Sequence, residues 1–206
     1  MRTAAVLPVK SFVRAKSRTA LEDPQRTALA AAMVDDVLEV LAEVPALDEV
    51  LVITREPQAQ EAAARVGATV VHDEHEAGHN AAAALGAAAA VRRGAERVLL
   101  VPGDCPAIDA AEVGQLLDQE GPGVTIVPDR HGSGTNALVL TPPEAMRPSF
   151  GPGSFARHAA LARAAGLPVR IAAVASLAFD VDTPEDLAAL RAAGPRTRAL
   201  LGAIAA

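Results

Sequence analysis

Residues 94–106 read Gly94-Ala95-Glu96-Arg97-Val98-Leu99-Leu100-Val101-Pro102-Gly103-Asp104-Cys105-Pro106. A glycine suited to a left-handed helix cap precedes a short apolar run, and that run stops abruptly at Pro-Gly-Asp. Its apolar positions are continuous and not alternating, which marks a strand buried on both faces, the habit of parallel sheets. The stretch therefore predicts a central strand over Arg97–Val101 with the Asp104 carboxylate at its tip. A carboxylate there is costly unless it is paired or binds a cation; a turn or capping aspartate is the plain alternative. Cys105 beside it reads as a small buried filler, since no neighbouring group could activate it.

The same alternation extends in both directions. Strand-like runs fall at Ala4–Val9, Glu49–Thr54, Thr69–His72, Gly123–Val127, Asn136–Leu140 and Val169–Val174. Alanine-rich helical segments lie between them, at Asp23–Val44, Pro57–Val66, Gly78–Gly94, Ala110–Glu120, Ser154–Ala165 and Thr183–Ala193. In the last, Thr183-Pro184-Glu185-Asp186 supplies an N-cap threonine, a first-turn proline and two acids. Gly67 and Gly166, like Gly94, stand where helices close. Strand and helix in turn imply an α/β protein of one domain, residues 1–206: a mostly parallel, mixed sheet flanked by helices. In such sheets ligands bind beyond the C-terminal strand ends.

Composition narrows the function classes. The chain has 206 residues, 19 Lys and Arg against 25 Asp and Glu, a net charge of −6, and 2% aromatic residues with no Trp or Tyr. That balance argues against nucleic-acid binding. One cysteine excludes a disulfide framework and fits a reducing, cytoplasmic setting. No run approaches the ~18 apolar residues of a membrane span.

Four further stretches carry candidate chemistry. Residues 10–18 hold four cations, Lys10, Arg14, Lys16 and Arg18, including both lysines of an otherwise acidic chain. Several cations in one loop suit a polyphosphate, although the spacing is not that of a P-loop and a solvated loop is an equal reading from charge alone. Asp180-Val181-Asp182 in extended conformation points two carboxylates to one face, and with Asp104 makes three hard oxygen ligands suited to Mg2+. Gly132-Ser133-Gly134-Thr135-Asn136 and Phe150-Gly151-Pro152-Gly153-Ser154 place small donors around glycines; the second opens a helix and suits an anion. His72, His75 and His79, with Asp73, Glu74 and Glu76, match no standard zinc spacing and read as a solvated loop. His131 and His158 have no Ser or Cys partner at an interpretable spacing, so nucleophilic catalysis has little support.

Taken in order, Leu7-Pro8-Val9-Lys10, Ala15-Lys16-Ser17-Arg18, Gly78-His79-Asn80, Val101-Pro102-Gly103-Asp104-Cys105-Pro106, Gly134-Thr135-Asn136-Ala137-Leu138, Phe150-Gly151-Pro152-Gly153-Ser154-Phe155 and Asp180-Val181-Asp182-Thr183-Pro184-Glu185-Asp186 resemble the 2-phospho-L-lactate or phosphoenolpyruvate guanylyltransferase family of coenzyme F-420 biosynthesis. The resemblance implies a glycosyltransferase-A-like nucleotidyltransferase (nucleotide-diphospho-sugar transferase) fold. It implies transfer of GMP from GTP to phosphoenolpyruvate, with release of pyrophosphate and formation of enolpyruvoyl-2-diphospho-5'-guanosine. By the same resemblance Asp104, Asp180 and Asp182 would be the catalytic acids that hold Mg2+. Thr135, Gly151 and Ser154 would hold the acceptor, and Lys10, Lys16, Asn80, Pro102 and Gly103 the nucleotide. His79 departs from the small or apolar residue expected before Asn80. A downstream deazaflavin transferase and a second copy of the chain are further candidate partners.

Other acceptors within the family are 2-phospho-L-lactate and 3-phosphoglycerate. Outside it stand a molybdenum-cofactor or sugar-phosphate nucleotidyltransferase and, in a different class, a non-catalytic nucleotide-binding module. Retention of all three aspartates argues against the last. The Gly151–Ser154 turn fits a small acid better than a pterin.

Overall fold

The computed structural model describes residues 1–14, 21–190 and 192–204; Lys16, with Ser17 and Arg18, lies outside the described residues. Seven strands form one sheet: β1 (Thr3–Pro8), β2 (Glu49–Ile53), β3 (Thr69–Val71), β4 (Arg97–Leu100), β5 (Gly123–Pro128), β6 (Thr135–Thr141) and β7 (Val169–Ile171), in the order β3-β2-β1-β4-β6-β5-β7. All seven coincide with the apolar runs of the sequence, with β3 and β7 shorter than expected. β1, β2, β3 and β4 pair in parallel, as do β5 and β7, while β6 runs antiparallel to both β4 and β5. The connection from β5 to β6 explains the reversal: residues 129–134 are too few for a crossover, which takes a dozen or more, so the two strands form a hairpin. As a result the start of β6 lies at the same sheet edge as the ends of β1, β2 and β4.

Side chains alternate along each strand and build a core on each face of the sheet. Ala5 and Leu7 of β1 join Val52, Leu99 and Val139 against Val37, Leu38 and Leu41 of α1 (Asp23–Ala42) and alanines of α2 (Pro57–Arg65). The same face takes Val113 and Leu116 of α4 (Ala110–Leu117). Ala4 and Val6 point the other way, with Leu51, Ile53, Leu100 and Ile126, against α3 (His79–Arg92) and α5 (Ser154–Ala164). α3 can lie close because its sheet-facing side is alanine and glycine. A Cβ on Gly86 would stand 2.3 Å from Val6 Cγ1 and 2.9 Å from Ile53 Cδ1. Gly67, Gly94 and Gly166 follow α2, α3 and α5 with φ of 72°, 85° and 70°, the left-handed turn expected of them.

The C-terminal region differs from its reading in sequence. The helix expected over Thr183–Ala193 is a short α6 (Pro184–Ala189), correctly capped by Thr183, whose hydroxyl accepts the Asp186 N–H. A further helix, α7 (Pro195–Ile204), follows and packs on α1. Its start is fixed from outside. Asp36 of α1, only 2% exposed, accepts the Arg196 N–H at 3.0 Å and the Thr197 N–H at 2.9 Å. A carboxylate at a helix N-terminus satisfies donors that have no partner within the helix and meets the positive end of its dipole. Gly194 is required at that junction, because a Cβ there would come within 2.3 Å of Asp36 Cγ. Leu29 and Met33 of α1 then share a third apolar cluster with Val181 and the α6 and α7 leucines. Among the described residues no helix is long and apolar enough to cross a membrane.

Asp36→Ala should lower stability by about 2–3 kcal/mol, the scale for losing hydrogen bonds to a charged acceptor. Urea unfolding would show this as a reduced midpoint at unchanged slope; an unaltered midpoint would mean that α7 is held by its apolar contacts alone.

Candidate active site

The site grows from the shared edge of β1, β2, β4 and β6. On one side, β1 ends in Val9, whose N–H donates to Ile53 O at 2.9 Å, and the next turn is held by a Phe12 N–H bond to Glu56 Oε2 at 3.0 Å. Buried Phe12 anchors this turn and leaves Lys10 exposed. Lys10 and Ser11, with Arg55, Asp73, Glu76 and Gly78, line an open cleft of about 260 Å3. Of the two lysines expected to meet a triphosphate, Lys10 therefore stands at a cleft, while Lys16 falls outside the described residues.

On the other side, Asp104 follows β4, and its carbonyl accepts the Val181 N–H at 3.0 Å. That single backbone bond joins the two acidic stretches, which are 76 positions apart in sequence. The Asp180 carboxyl is pushed above the ordinary carboxylate range. Burial is the main cause, the neighbouring Asp104 charge adds to it, and Asp182 contributes least. Asn136 opposes the shift: its Nδ2 donates to Asp180 Oδ1 at 3.2 Å and also to Leu177 O at 2.9 Å.

The expected cage of three acids is not assembled as such, because among the described residues no group of three His, Cys, Asp or Glu side chains is arranged to hold a metal ion. The Asp104 charge lies close enough to Asp180 to help raise its carboxyl. Two half-buried carboxylates that repel one another form a donor set suited to a hard divalent cation, which usually completes its shell from substrate phosphates and water. On that ground the pair fits a hard divalent cation.

Asp186, the last acid of the motif, does different work. Its Oδ2 accepts the Asp182 and Thr183 N–H groups at 2.8 and 2.7 Å, and its Oδ1 pairs with Arg130. Burial alone would raise its carboxyl, but these N–H donors, the Thr183 hydroxyl and the Arg130 charge together hold it below the usual range. The Arg130 guanidinium in turn lies 4.6 Å from the centre of the Phe179 ring. Cys105 is fully buried and donates to Leu177 O at 3.4 Å, as expected of a structural thiol.

A donor-rich turn precedes β6 and meets the start of α5. The Asp129 carboxylate gathers this turn, accepting the His131, Ser133 and Gly134 N–H groups at 3.1, 2.9 and 2.8 Å. Gly134 must be glycine, since a Cβ there would lie 2.6 Å from Asp129 Oδ2. Thr135 and Asn136 then point to opposite faces, as neighbours in a strand do: Asn136 toward Asp180, Thr135 toward His158 of α5. The Phe155 N–H donates to Ser133 O at 3.3 Å and brings the start of α5 against this turn. Gly151 and Gly153, with φ of 115° and 70°, shape the approach to that helix. The Ser154 hydroxyl, 1% exposed at the first position of α5, has no hydrogen-bond partner.

Two residues play parts that the sequence did not reveal. Asn80, expected at the nucleotide, uses its amide on the backbone of Phe150, accepting its N–H at 2.6 Å and donating to its carbonyl at 3.1 Å. It thereby ties the start of α3 to the Gly151 turn. His79 is not in a solvated loop. It is the first residue of α3, its ring meets Phe150 edge-on at 5.0 Å, and burial pushes its pKa down while the Asp104 charge raises it and Lys10 lowers it. It thus stands where the influences of the cleft and the acids overlap. The positive φ of Gly78, which starts a helix right at a strand edge, was the only local hint.

Comparison with known proteins agrees with this geometry. Residues 3–201 match the family model described as guanylyl transferase CofC like. The chain is 50% identical over 196 residues to the phosphoenolpyruvate guanylyltransferase of Conexibacter woesei, covering 93% of this chain and 88% of that one. It is 35% identical over 201 residues to the 2-phospho-L-lactate guanylyltransferase of Methanothermobacter thermautotrophicus, covering 97% and 88%. Among solved structures, a nucleotide-diphospho-sugar transferase described as putative, from Desulfovibrio desulfuricans G20, superposes with a TM-score of 0.77 at 18% identity, covering 98% and 95%, a likeness of fold. A match over residues 3–201, with 50% identity across nearly the whole of both chains, means that the chain belongs to the CofC-like guanylyl transferase family.

Proposed function

We propose that this protein transfers GMP from GTP to phosphoenolpyruvate, giving enolpyruvoyl-2-diphospho-5'-guanosine and pyrophosphate. The observation that carries the reading is the 50% identity to a phosphoenolpyruvate guanylyltransferase, spread over nearly the whole of both chains. The acceptor would lie between Thr135, the Gly151 turn and Ser154, where neutral donors and the α5 N-terminus favour a small anion. GTP would lie along the cleft from Lys10 toward Asp104 and Asp180, with Pro102 and Gly103 as the floor. Asp104 and Asp180, with Asp182 two residues on, would hold Mg2+, and the ion when bound would offset charge on the triphosphate.

The reaction needs little from the protein by way of proton transfer. An oxygen of the acceptor phosphate is already an anionic nucleophile. It attacks the α-phosphorus in line, a new P–O bond forms, and the bond to the bridging oxygen of pyrophosphate breaks. No proton must move for that exchange, which is consistent with a site whose two nearest histidines have pKa values lowered by burial. The chain's task is to position two anions against each other and to compensate their charge. Lys10 does so at the triphosphate. Thr135, Ser154 and the first turn of α5 do so at the acceptor.

Incubation with GTP, Mg2+ and each of phosphoenolpyruvate, 2-phospho-L-lactate and 3-phosphoglycerate, followed by product mass and pyrophosphate release, tests the reading. The phosphoenolpyruvate adduct should form fastest. Faster formation of the phospholactate adduct would move the chain to the side of its archaeal relative, and no pyrophosphate with any acceptor would sink the assignment.

Asp104→Asn and Asp180→Asn should each reduce turnover by roughly a hundred- to a thousandfold, the scale for removing one group that offsets charge. Stability should respond in the opposite sense at Asp180. Its folded-state pKa lies above the unfolded one, so the stability that this group contributes is present below the unfolded pKa and is lost as pH rises through the folded value. At neutral pH without divalent ions, Asp180→Asn should therefore melt at a higher temperature than the unsubstituted chain. A lower melting temperature would show that the carboxylate is not under electrostatic strain.

A further inference from the structure

His158 is fully buried within the fold, one turn along α5 from Ser154, and both of its ring nitrogens are engaged. Nε2 lies 2.9 Å from the Ser149 backbone nitrogen and accepts its N–H. Nδ1 lies 3.0 Å from Thr135 Oγ1. A peptide N–H can only donate, so Nε2 must be unprotonated. A neutral imidazole with a bare Nε2 carries its proton on Nδ1. The bond to Thr135 therefore has one direction, from the ring N–H to the hydroxyl oxygen. Once its oxygen receives that proton donor, the hydroxyl's own hydrogen must turn elsewhere, beside a helix start that packs on the turn before Thr135 and carries the unpartnered Ser154 hydroxyl.

The surroundings keep this arrangement from relaxing. Arg157 donates to the Ser149 carbonyl at 3.1 and 2.8 Å, to Ser149 Oγ at 2.8 Å and to the Pro152 carbonyl at 3.1 Å, so the residue that sets the tautomer is itself held on both sides. Phe150 covers the ring edge-on at 5.1 Å. Burial, with the nearby Arg157 charge, lowers the pKa of His158 to about 4, so the ring stays neutral at ordinary pH and cannot offer a second proton to Ser149.

We propose that His158 is a positioning residue that locks the Thr135 hydroxyl as a hydrogen-bond donor toward the phosphate or carboxylate of the acceptor. The inference rests on the reading that Thr135 holds the acceptor. It adds a relay, from the Ser149 N–H through the imidazole to the Thr135 O–H, in which every donor points toward the anion. A hydroxyl free to rotate would spend part of its time with its lone pairs facing a negative charge. A hydroxyl fixed as donor avoids that loss and presents the pocket as donors only, which an anionic acceptor favours over a neutral alcohol or ester of the same shape.

Two substitutions separate the halves of the relay. In His158→Asn the amide nitrogen can take the place of Nδ1 and still donate to Thr135. In His158→Gln the amide oxygen can take the place of Nε2 and still accept from Ser149, while the donor to Thr135 is lost. Steady-state kinetics should show the acceptor KM of His158→Gln raised about tenfold or more, with the GTP KM unmoved, and His158→Asn within about threefold of the unsubstituted enzyme. A merely structural histidine would raise both KM values or lower kcat in both variants alike, and that pattern would overturn the inference. Thr135→Val is the control for the underlying reading. An unchanged acceptor KM there would refute Thr135 as an acceptor ligand, whereas a raised KM there beside a normal one in His158→Gln would refute the relay alone. Should either histidine variant fail to fold, 15N NMR of the unsubstituted protein decides: the His158 resonances must show the Nδ1–H tautomer, and an Nε2–H tautomer would overturn the proposal.

Discussion

The hydrogen bond from the Val181 amide to the Asp104 carbonyl is the contact on which the site depends. It is an ordinary backbone bond 3.0 Å long, yet it brings together the tip of β4 and a stretch that follows the last strand of the sheet. Buried Val181 wedges against Leu29 and Met33 of α1 and fixes the depth of the stretch, while the Asp186 cap of α6 fixes its direction. With both constraints met, Asp180 stays partly buried beside Asp104, and burial first, then that neighbour's charge, raises its pKa. Structural geometry and chemical tension here have the same origin. A pair of carboxylates held together against their repulsion stores a preference for a cation before any cation arrives.

β6 divides the labour of the two ligand regions. Its short hairpin with β5 sets it antiparallel, so the strand begins where its neighbours end, and its first two residues face opposite ways. Asn136 bonds Asp180 and Thr135 bonds His158. The acids and the proposed acceptor region are thus set by adjacent residues of one strand. Sites carried on strands hold their geometry better than sites carried on loops.

Much of this was legible in the chain before any coordinates. Continuous apolar runs located every strand, and glycines in left-handed turns closed the helices as expected. The abrupt stop after Val101 drew attention to Asp104, although a turn aspartate is ordinary after Pro-Gly. The errors share a physical character. α7 escaped notice because its start is specified by Asp36, more than 150 positions away, and a cap from another helix leaves no trace in the local pattern. The contacts that Asn80 and His79 make with Phe150 could not be foreseen, because a side chain's partner across the fold is invisible to spacing rules. His158 was passed over for want of a Ser or Cys partner, and its partner is a threonine on another element.

The core that holds these parts is built almost wholly of small aliphatic side chains, packed so closely at Gly86 that no extra methyl fits between α3 and the sheet. One consequence is optical. With neither Trp nor Tyr, the chain is nearly transparent at 280 nm, and its four phenylalanines contribute little there. With the proposed guanine nucleotide bound, the ultraviolet spectrum of a sample would be essentially that of the base. A single tryptophan introduced near the cleft would be the sole fluorophore of its kind, reporting on nucleotide arrival against a dark protein.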